Sequence, residues 1–248
     1  MSSVPVESAT DLNTCSTDTS AAPGDWDIER LLGLRRRHFI AGLYIPLLAG
    51  PSWAQSAKAA TAGAPRILVV GDSLSAEYGL KRGTGWVALL EQRLAEQKIA
   101  AEVRNASISG DTTSGGRARL APLLKTYQPT HVVLELGGND ALRGLPLKNT
   151  ADNLAAMTQA AQQAGAKVLI VGMQMPPNYG ADYGRQFSTL FGDVAREHKA
   201  GLVPFLLKGI ADGANAAALF QADRIHPREE AQAAMLDNVW PELRKQLR

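Results

Sequence analysis

Short apolar runs alternate with longer amphipathic stretches from Arg66 to the end of the chain. The short runs are almost continuously apolar, as in strands that are buried on both faces of a parallel sheet. They predict strands over Ile67–Val70, Ala101–Ala106, His131–Leu136, Lys167–Val171 and Leu202–Phe205. The stretches between and after them predict helices over Trp86–Gln97, Gly116–Tyr127, Ala151–Ala164, Asp182–His198 and Pro227–Gln246.

This alternation of strands and helices predicts an α/β fold, because a helical connection lets two successive strands lie parallel. Right-handed crossovers then give a three-layer α/β/α sandwich with a five-stranded parallel sheet in flavodoxin-like strand order. No repeat or low-complexity segment interrupts residues 66–248. We therefore expect these residues to form a single domain, preceded by a small-residue linker over residues 55–65.

Residues 1–54 show a different pattern, which predicts a cleaved export signal. A polar leader is followed by Arg35-Arg36-Arg37, an apolar run over Ile40–Gly50 and the small-residue site Ser52-Trp53-Ala54. Arg36-Arg37 with Phe39 resembles a twin-arginine motif, and an ordinary secretory signal is the alternative. We expect the export machinery to be a partner of this leader, and the mature protein, cleaved near Ala54, to be periplasmic or secreted.

The apolar run of the leader is too short to anchor the protein in a membrane. It has 11 residues, whereas a helix needs about 20 to span a bilayer, so no permanent anchor is expected. Cys15 is the only cysteine and lies far from the cleavage site, where a lipid-bearing cysteine would have to stand. The mature chain therefore has no thiol chemistry and no cysteine-metal site.

Charge and motifs limit the other partners. The formal net charge of the 248 residues is +2, and no basic block occurs outside the leader, so no nucleic-acid partner is expected. No metal-ligand cluster is visible, and we expect neither a metal nor another cofactor. A non-catalytic flavodoxin-like binding protein is an alternative, but the loop Gly71–Ser75 matches neither G-x-G-x-x-G nor the Walker A pattern that such a protein would need for phosphate.

Small polar residues follow the first three predicted strands, at the carboxyl edge where parallel sheets bind ligands. Ser73 in Gly71-Asp72-Ser73 follows the first, Gly110 follows the second and Asn139 follows the third. Ser73 is a candidate nucleophile, although residue 75 is a serine where the G-x-S-x-G elbow has glycine. A plain turn is the alternative for each of these loops.

A nucleophilic serine needs a base and a group that orients the base, and His226 with Asp223 can supply both. Pro227 predicts that a helix starts directly after His226, and Asp223 lies three residues earlier, within reach of the imidazole Nδ1. Asp223 is alternatively only a helix cap. We expect the other two histidines of the domain, His131 and His198, to be surface residues away from the site.

An acyl-transfer site also needs donors for the oxyanion of the tetrahedral intermediate. Three candidates lie at the same predicted edge. They are the backbone N–H of Ser73, the backbone N–H of Gly110 and the side-chain amide of Asn139.

Taken together, four ordered blocks resemble the SGNH hydrolases, also called GDSL esterases. The blocks are Gly71–Ser75, the stretch around Gly110, Gly137–Asp140 and Asp223–Pro227, and the resemblance extends from about Arg66 to Leu247. Within that family the sequence most resembles the bacterial multifunctional thioesterase I, lysophospholipase and arylesterase subgroup. The resemblance implies that Ser73 is the nucleophile, that Asp223 and His226 complete the triad, and that Gly110 and Asn139 are oxyanion donors. It also explains Ser75, because this family does not use the G-x-S-x-G elbow.

The resemblance implies hydrolysis of carboxylic esters, namely aryl esters, lysophospholipids and acyl thioesters. A carbohydrate acetylesterase is an alternative within the same fold. Flexible loops line an open groove in the family, and the corresponding stretches here are Ala141–Lys148 and Met173–Tyr183. The resemblance implies an acyl-binding wall made of the apolar residues Leu142, Leu145, Met175, Pro176 and Tyr179, and ordinary loop packing is the alternative for them. Glu77 departs from the family, which often has a small residue at this position; its carboxylate either faces solvent or discourages anionic substrates.

Overall fold

A parallel five-stranded sheet lies at the centre of residues 63–248, which are the residues that this computed structural model describes. The export signal over residues 1–54 and most of the linker lie outside the described residues. The strands are β1 (Arg66–Gly71), β2 (Glu102–Asn105), β3 (His131–Glu135), β4 (Lys167–Val171) and β5 (Gly201–Val203). Their order, β2-β1-β3-β4-β5, confirms the predicted flavodoxin-like arrangement.

Helices cover both faces of the sheet, so the predicted three-layer α/β sandwich is confirmed. The helices are α1 (Trp86–Glu96), α2 (Thr113–Tyr127), α3 (Gly138–Leu142), α4 (Leu147–Gln163), α5 (Ala181–Glu197), α6 (Ala216–Leu219) and α7 (Gln232–Gln246). Short 3₁₀ turns lie at Pro177–Tyr179 and Glu229–Ala231. Helices α1 and α7 pack on one face, and α2, α4 and α5 pack on the other.

Strand β1 shows why the apolar runs are continuous. Ile67 and Val69 belong to the core on the α1 and α7 face, whereas Leu68 and Val70 belong to the core on the opposite face. All four are at most 1% exposed. Because successive side chains point to opposite faces, a strand between two helical layers has no polar side.

Two helices begin earlier than predicted. Helix α2 starts at Thr113 instead of Gly116, because the Thr112 side chain accepts a hydrogen bond from the N–H of Gly115 and caps the first turn. Helix α4 starts at Leu147 instead of Ala151, directly after Pro146. The short helices α3 and α6 lie in stretches that the sequence predicted as loops.

The last helix begins later than predicted. Pro227 does not open it, because Pro227 pairs with Phe220 in an isolated antiparallel bridge, and α7 starts only at Gln232. His226 therefore lies in a loop and not at a helix start. The prediction that Pro227 is a first helical residue was wrong.

Within the described residues, none of the helices combines the length and apolar character needed to cross a bilayer.

Gly172, which follows β4, offers a test of this packing. A Cβ atom at this position would lie 2.5 Å from the backbone oxygen of Pro204, which cannot rotate away as a side chain could. We expect Gly172→Ala to lower the free energy of unfolding by roughly 1–3 kcal/mol, measured by urea denaturation.

Gly184 is the matched control, because a Cβ there meets no atom within 4 Å on helix α5. Gly184→Ala should raise the free energy of unfolding by about 0.5–1 kcal/mol. Equal effects of the two substitutions would contradict the tight approach at Gly172.

Candidate active site

Ser73, His226 and Asp223 form a continuous hydrogen-bonded chain. His226 Nε2 lies 2.8 Å from Ser73 Oγ, and His226 Nδ1 lies 2.7 Å from Asp223 Oδ2. Ser73 follows β1, and the other two residues come from the loop before α7. The structure thus brings together the three residues that the sequence predicted as a triad, in the geometry that nucleophile, base and orienting carboxylate require.

The loop that carries His226 is folded around the Asp223 carboxylate. Asp223 Oδ1 accepts hydrogen bonds from the backbone N–H of Ile225 (2.9 Å) and of His226 (3.0 Å), while Oδ2 faces the imidazole. Arg224 between them has a left-handed φ of 57°. Asp223 thus holds both the backbone and the ring of His226. The alternative that Asp223 is only a helix cap was wrong, because no helix starts directly after His226 and the carboxylate binds the backbone of a loop.

These hydrogen bonds also determine the charge of Asp223. Desolvation alone would raise the pKa of Asp223. The N–H of Ile225 and the side chain and N–H of His226 outweigh it and lower the pKa to about 2. The Asp223 carboxylate is therefore ionised at neutral pH.

The turn after β1 needs glycine at Gly71 and a small polar residue at Ser75. A Cβ at Gly71 would lie 2.8 Å from both Glu135 Oε2 and Ser75 Oγ. Ser75 Oγ is itself bonded to Glu135 Oε2 at 2.7 Å and accepts from Trp86 Nε1 at 3.1 Å. Ser75 therefore belongs to the internal hydrogen bonds of the turn, whereas the hydroxyl of Ser73 faces His226.

The three predicted oxyanion donors lie on the loops after β1, β2 and β3. Gly110 has a left-handed φ of 79°, which favours glycine, and its carbonyl accepts from Arg143 Nη2 at 2.7 Å. Asn139 Nδ2 donates one hydrogen to Asp72 Oδ2 at 3.0 Å, which leaves its second amide hydrogen for a ligand. Within residues 63–248, no hydrogen bond occupies the backbone N–H of Ser73 or Gly110.

Asp140 ties the Asn139 loop to its neighbours. Its buried carboxylate accepts from the backbone N–H of Thr113 (2.9 Å) and the Thr113 hydroxyl (2.5 Å), and from the Thr150 hydroxyl (3.4 Å). Helix α2, which follows the Gly110 loop, and helix α4 are thus fastened to the short helix α3 that carries Asn139. From the sequence alone, Asp140 was predicted only to be part of a turn.

A second carboxyl group lies buried beneath the nucleophile turn, and the sequence reading missed it. Glu135 is 1% exposed and Asp72 is 3% exposed, and the backbone N–H of Asp72 lies 3.4 Å from Glu135 Oε2. Burial and the neighbouring Asp72 raise the pKa of Glu135 well above its usual value. Burial likewise raises the pKa of Asp72, to about 6, against hydrogen bonds from Leu74 and Asn139. Of these two neighbouring carboxyl groups, Glu135 is therefore the one that is held more strongly in its protonated form.

Gln221 joins the nucleophile turn to the histidine loop. Its backbone N–H donates to the carbonyl of His226 at 2.8 Å, and its Nε2 donates to the carbonyl of Tyr78 at 2.9 Å. The N–H of Tyr78 in turn donates to the carbonyl of Ser73 at 3.3 Å. The two halves of the triad are thus connected through a short path of hydrogen bonds.

An apolar groove of about 530 Å³ runs from Gly138, next to Asn139, to Arg224 and Ile225, next to His226. Of the five residues predicted as an acyl-binding wall, the structure places Leu142, Met175 and Pro176 in its lining. Leu145 and Tyr179 are exposed and lie outside this lining. The sequence reading missed these apolar lining residues: Met173, Phe187, Phe205, Leu207, Phe220 and Ile225.

Glu77 has a structural role. Its carboxylate accepts hydrogen bonds from the backbone N–H of Gly83 (3.0 Å) and Gly85 (2.8 Å) and so closes the loop before α1. Its φ of 60° lies in the left-handed region, which explains why a residue without a bulky side chain is also suited to this position. The two alternatives predicted for Glu77, a solvent-facing carboxylate or one that discourages anionic substrates, did not include these hydrogen bonds.

The remaining histidines of the domain lie away from this edge. His131 is 6% exposed and bonded to Thr130 Oγ1 and the carbonyl of Gln246, so the expectation that it is a surface residue was wrong. His198 ends helix α5 and is half-buried. Among the described residues, no cluster of three or more histidine, cysteine or acidic side chains is arranged to hold a metal ion.

Comparisons with known proteins show what this chain is similar to. The model of the GDSL-like Lipase/Acylhydrolase family matches residues 69–234. The chain is 51% identical to Esterase TesA of Pseudomonas aeruginosa over 74% of this chain and 90% of that protein. It is 38% identical to an arylesterase of Vibrio mimicus, over 76% and 93%. It is 39% identical to Thioesterase 1/protease 1/lysophospholipase L1 of Escherichia coli K12, over 71% and 82%.

Solved structures show the same similarity. A crystal structure of TesA superposes with a TM-score of 0.70 at 51% identity and covers 73% of this chain and 99% of that one. The esterase EstA from Pseudoalteromonas, in a structure inhibited by monoethylphosphonate, gives a TM-score of 0.69 at 39% identity, over 73% and 98%. The resemblance inferred from the four sequence blocks is confirmed.

The buried Glu135 predicts how stability depends on pH. Its pKa is higher in the folded protein than in the unfolded chain, so its favourable contribution is complete at acid pH and is lost as pH rises toward the folded-state pKa. We expect Glu135→Gln, which keeps the shape without the charge, to unfold at similar urea concentrations at pH 4.5 and to be more stable than the unmodified protein at pH 9. The gain should be about 1.4 kcal/mol for each pKa unit removed.

Glu91→Gln on the exposed face of α1 is the control and should leave the pH dependence unchanged. A Glu135→Gln protein destabilised equally at both pH values would contradict a raised pKa of Glu135 in the folded protein.

Proposed function

Because this chain belongs to the GDSL-like lipase/acylhydrolase family and is a carboxylic ester hydrolase, we propose that it acts through an acyl-enzyme on Ser73. His226 is the base and Asp223 orients it. The observation that carries the proposal is the pair of hydrogen bonds, 2.7 Å and 2.8 Å long, that runs from Asp223 through His226 to Ser73. A serine hydroxyl becomes a useful nucleophile only when such a base accepts its proton.

In the first half of the reaction, His226 Nε2 takes the proton of Ser73 Oγ as that oxygen attacks the ester carbonyl carbon. The negative charge moves to the carbonyl oxygen, where the N–H groups of Ser73 and Gly110 and the amide of Asn139 stabilise it. The imidazolium then gives its proton to the leaving-group oxygen or sulfur as the bond to the acyl carbon breaks. The product of this half is an ester on Ser73.

In the second half, His226 takes a proton from a water molecule, and the resulting hydroxide attacks the acyl-enzyme. The same oxyanion donors stabilise the second intermediate. Collapse of that intermediate returns the proton to Ser73 Oγ and releases the carboxylic acid. The ionised Asp223 keeps the imidazole in the required tautomer and stabilises its charged form in both halves.

The groove supports esters with an apolar acyl group as substrates. Its lining combines methionine, leucine, isoleucine and phenylalanine side chains, and it begins at Gly138 beside the oxyanion donors. Each methylene group that enters such a surface is worth up to about 0.8 kcal/mol. Aryl esters, lysophospholipids and acyl thioesters all carry an acyl group of this kind, whereas a carbohydrate acetylesterase would need only room for two carbon atoms and polar contacts for a sugar.

The leader supports a location outside the cytosol. Arg36-Arg37, the apolar run over Ile40–Gly50 and the site at Ala54 have the order of an export signal. Coenzyme A thioesters belong to the cytosol, so an exported enzyme would rarely meet them. We therefore propose that the mature protein is periplasmic or secreted and that its physiological substrate is an ester or lysophospholipid near the cell envelope.

Aryl esters of increasing chain length test the activity. We expect the mature protein to hydrolyse p-nitrophenyl esters from acetate to palmitate, with kcat/KM rising up to about fourfold per methylene over the short chains. Ser73→Ala should lower kcat by at least about 10⁴-fold, and Asp223→Asn by about 10³-fold or more, because the wrong imidazole tautomer then faces the serine.

Ser188→Ala on helix α5 is the matched control and should keep full activity. Turnover that survives Ser73→Ala would rule out the acyl-enzyme, and a maximum at acetate would favour the acetylesterase alternative.

Fractionation of cells that express the full chain tests export. We expect the mature protein in the periplasm or medium, with an N-terminus near Gln55. Joint replacement of Arg36 and Arg37 by lysine should leave the precursor in the cytosol, whereas Arg35→Lys alone should not, since Arg35 lies outside the twin-arginine pair. Export of the double variant would indicate the ordinary secretory route, and an uncleaved leader in the cytosol in all cases would contradict the location.

A further inference from the structure

Tyr78 lies against the imidazole that carries the proton to the leaving group. Its ring centroid is 4.3 Å from that of His226, and the two planes are tilted by 39°. The position of Tyr78 is fixed on both sides, because its N–H is bonded to the Ser73 carbonyl and its own carbonyl accepts from Gln221. Even so, 51% of the residue is exposed. A large part of the ring is therefore free to contact a ligand.

The two sides of Ser73 differ in what they offer a substrate. All the lining residues of the apolar groove come from Gly138 onward, in the loops and helices that follow β3, β4 and β5 and in the histidine loop. The loops after β1 and β2 contribute none of them. Those two loops instead carry Tyr78 and Ile108, whose exposed fractions of 51% and 52% are the highest among the large apolar residues of the described part of the chain.

In the mechanism proposed above, the tetrahedral carbon on Ser73 distinguishes these two sides. Its oxyanion would point to Gly110 and Asn139, and its acyl chain would lie in the groove. The leaving-group oxygen must face His226 Nε2, because that nitrogen supplies its proton. The rest of the leaving group then extends past the imidazole, where Tyr78 is the adjoining side chain.

On this geometry, and resting on the function proposed above, we propose that Tyr78 is a specificity-determining residue that binds aromatic leaving groups. An aryl ring attached to the departing oxygen packs on the exposed part of the tyrosine ring, which an alkyl group does less well. Aromatic pairs contribute about 0.5–1.5 kcal/mol beyond the area that they bury, which corresponds to about a 2–12-fold rate difference. The phenolic hydroxyl of Tyr78 is not needed for this contact.

The test compares two acetate esters whose leaving groups have similar acidity, phenyl acetate and hexafluoroisopropyl acetate. Both share one acyl-enzyme, so their ratio of kcat/KM reports the acylation step and the contact with the leaving group. We expect Tyr78→Leu to lower the phenyl-to-alkyl ratio about 2–12-fold, while Tyr78→Phe keeps it within twofold. The exposed Tyr127, at the end of helix α2, provides the control Tyr127→Leu, which should leave the ratio unchanged.

The outcomes separate this inference from the function on which it rests. An unchanged ratio in Tyr78→Leu, or an equal loss for both esters, would show that Tyr78 only supports the imidazole and would overturn the inference. A phenyl-to-alkyl ratio that falls in Tyr78→Phe as much as in Tyr78→Leu would assign the preference to the phenolic hydroxyl, and this result would also overturn the inference. Titration of each variant with p-nitrophenyl ethylphosphonate counts competent serines. If the proposed function is wrong, the Ser73→Ala protein will still be labelled by the phosphonate and will still hydrolyse both esters.

Discussion

The hydrogen bond between His226 and Ser73 joins positions 153 residues apart in the sequence, and much of the structure serves to hold its two atoms 2.8 Å apart. Ser73 is fixed by the end of a central strand. His226 is fixed by a loop that folds around one carboxylate, and Gln221 connects that loop to the backbone next to the nucleophile. A parallel sheet provides the common edge, because its strands all end on the same side.

The buried polar groups beneath the site form a continuous set of hydrogen bonds that fixes the orientation of Asn139. Asn139 is held by the Asp72 carboxylate, Asp72 lies over Glu135, and Glu135 continues through Ser75 to the indole N–H of Trp86. An oxyanion donor is effective when it needs no reorientation during the reaction. Burying two carboxyl groups side by side costs stability, but their hydrogen bonds fix the direction of the Asn139 donor before substrate binds.

The alternation of apolar runs and helical stretches was sufficient to predict the parallel sheet and, by analogy with flavodoxin-like folds, its strand order. The residues that the structure brings together around Ser73 followed from the short polar motifs after the strands together with the family resemblance. The sequence was insufficient where the role of a residue, or the start of a helix, depends on a partner that is distant along the chain. Glu135 stands in an apolar run, and only the structure shows that Ser75 and Asp72 lie above it. The start of α7 was misplaced for the same reason, since Pro227 pairs with Phe220. The sequence signal that could have indicated Glu135 is an ionisable residue inside an otherwise apolar stretch of strand.

Asp223 and His226 belong to one short loop, and Asp223 organises the backbone of that loop as well as its ring. Base and orienting acid therefore depend on one backbone segment: opening of this loop would take both from the serine together, and closing would return both. Heating should accordingly yield two populations of molecules, fully competent and silent, with no partially active form between them. The residual activity after heating would then be proportional to the fraction of molecules in which this loop is still folded.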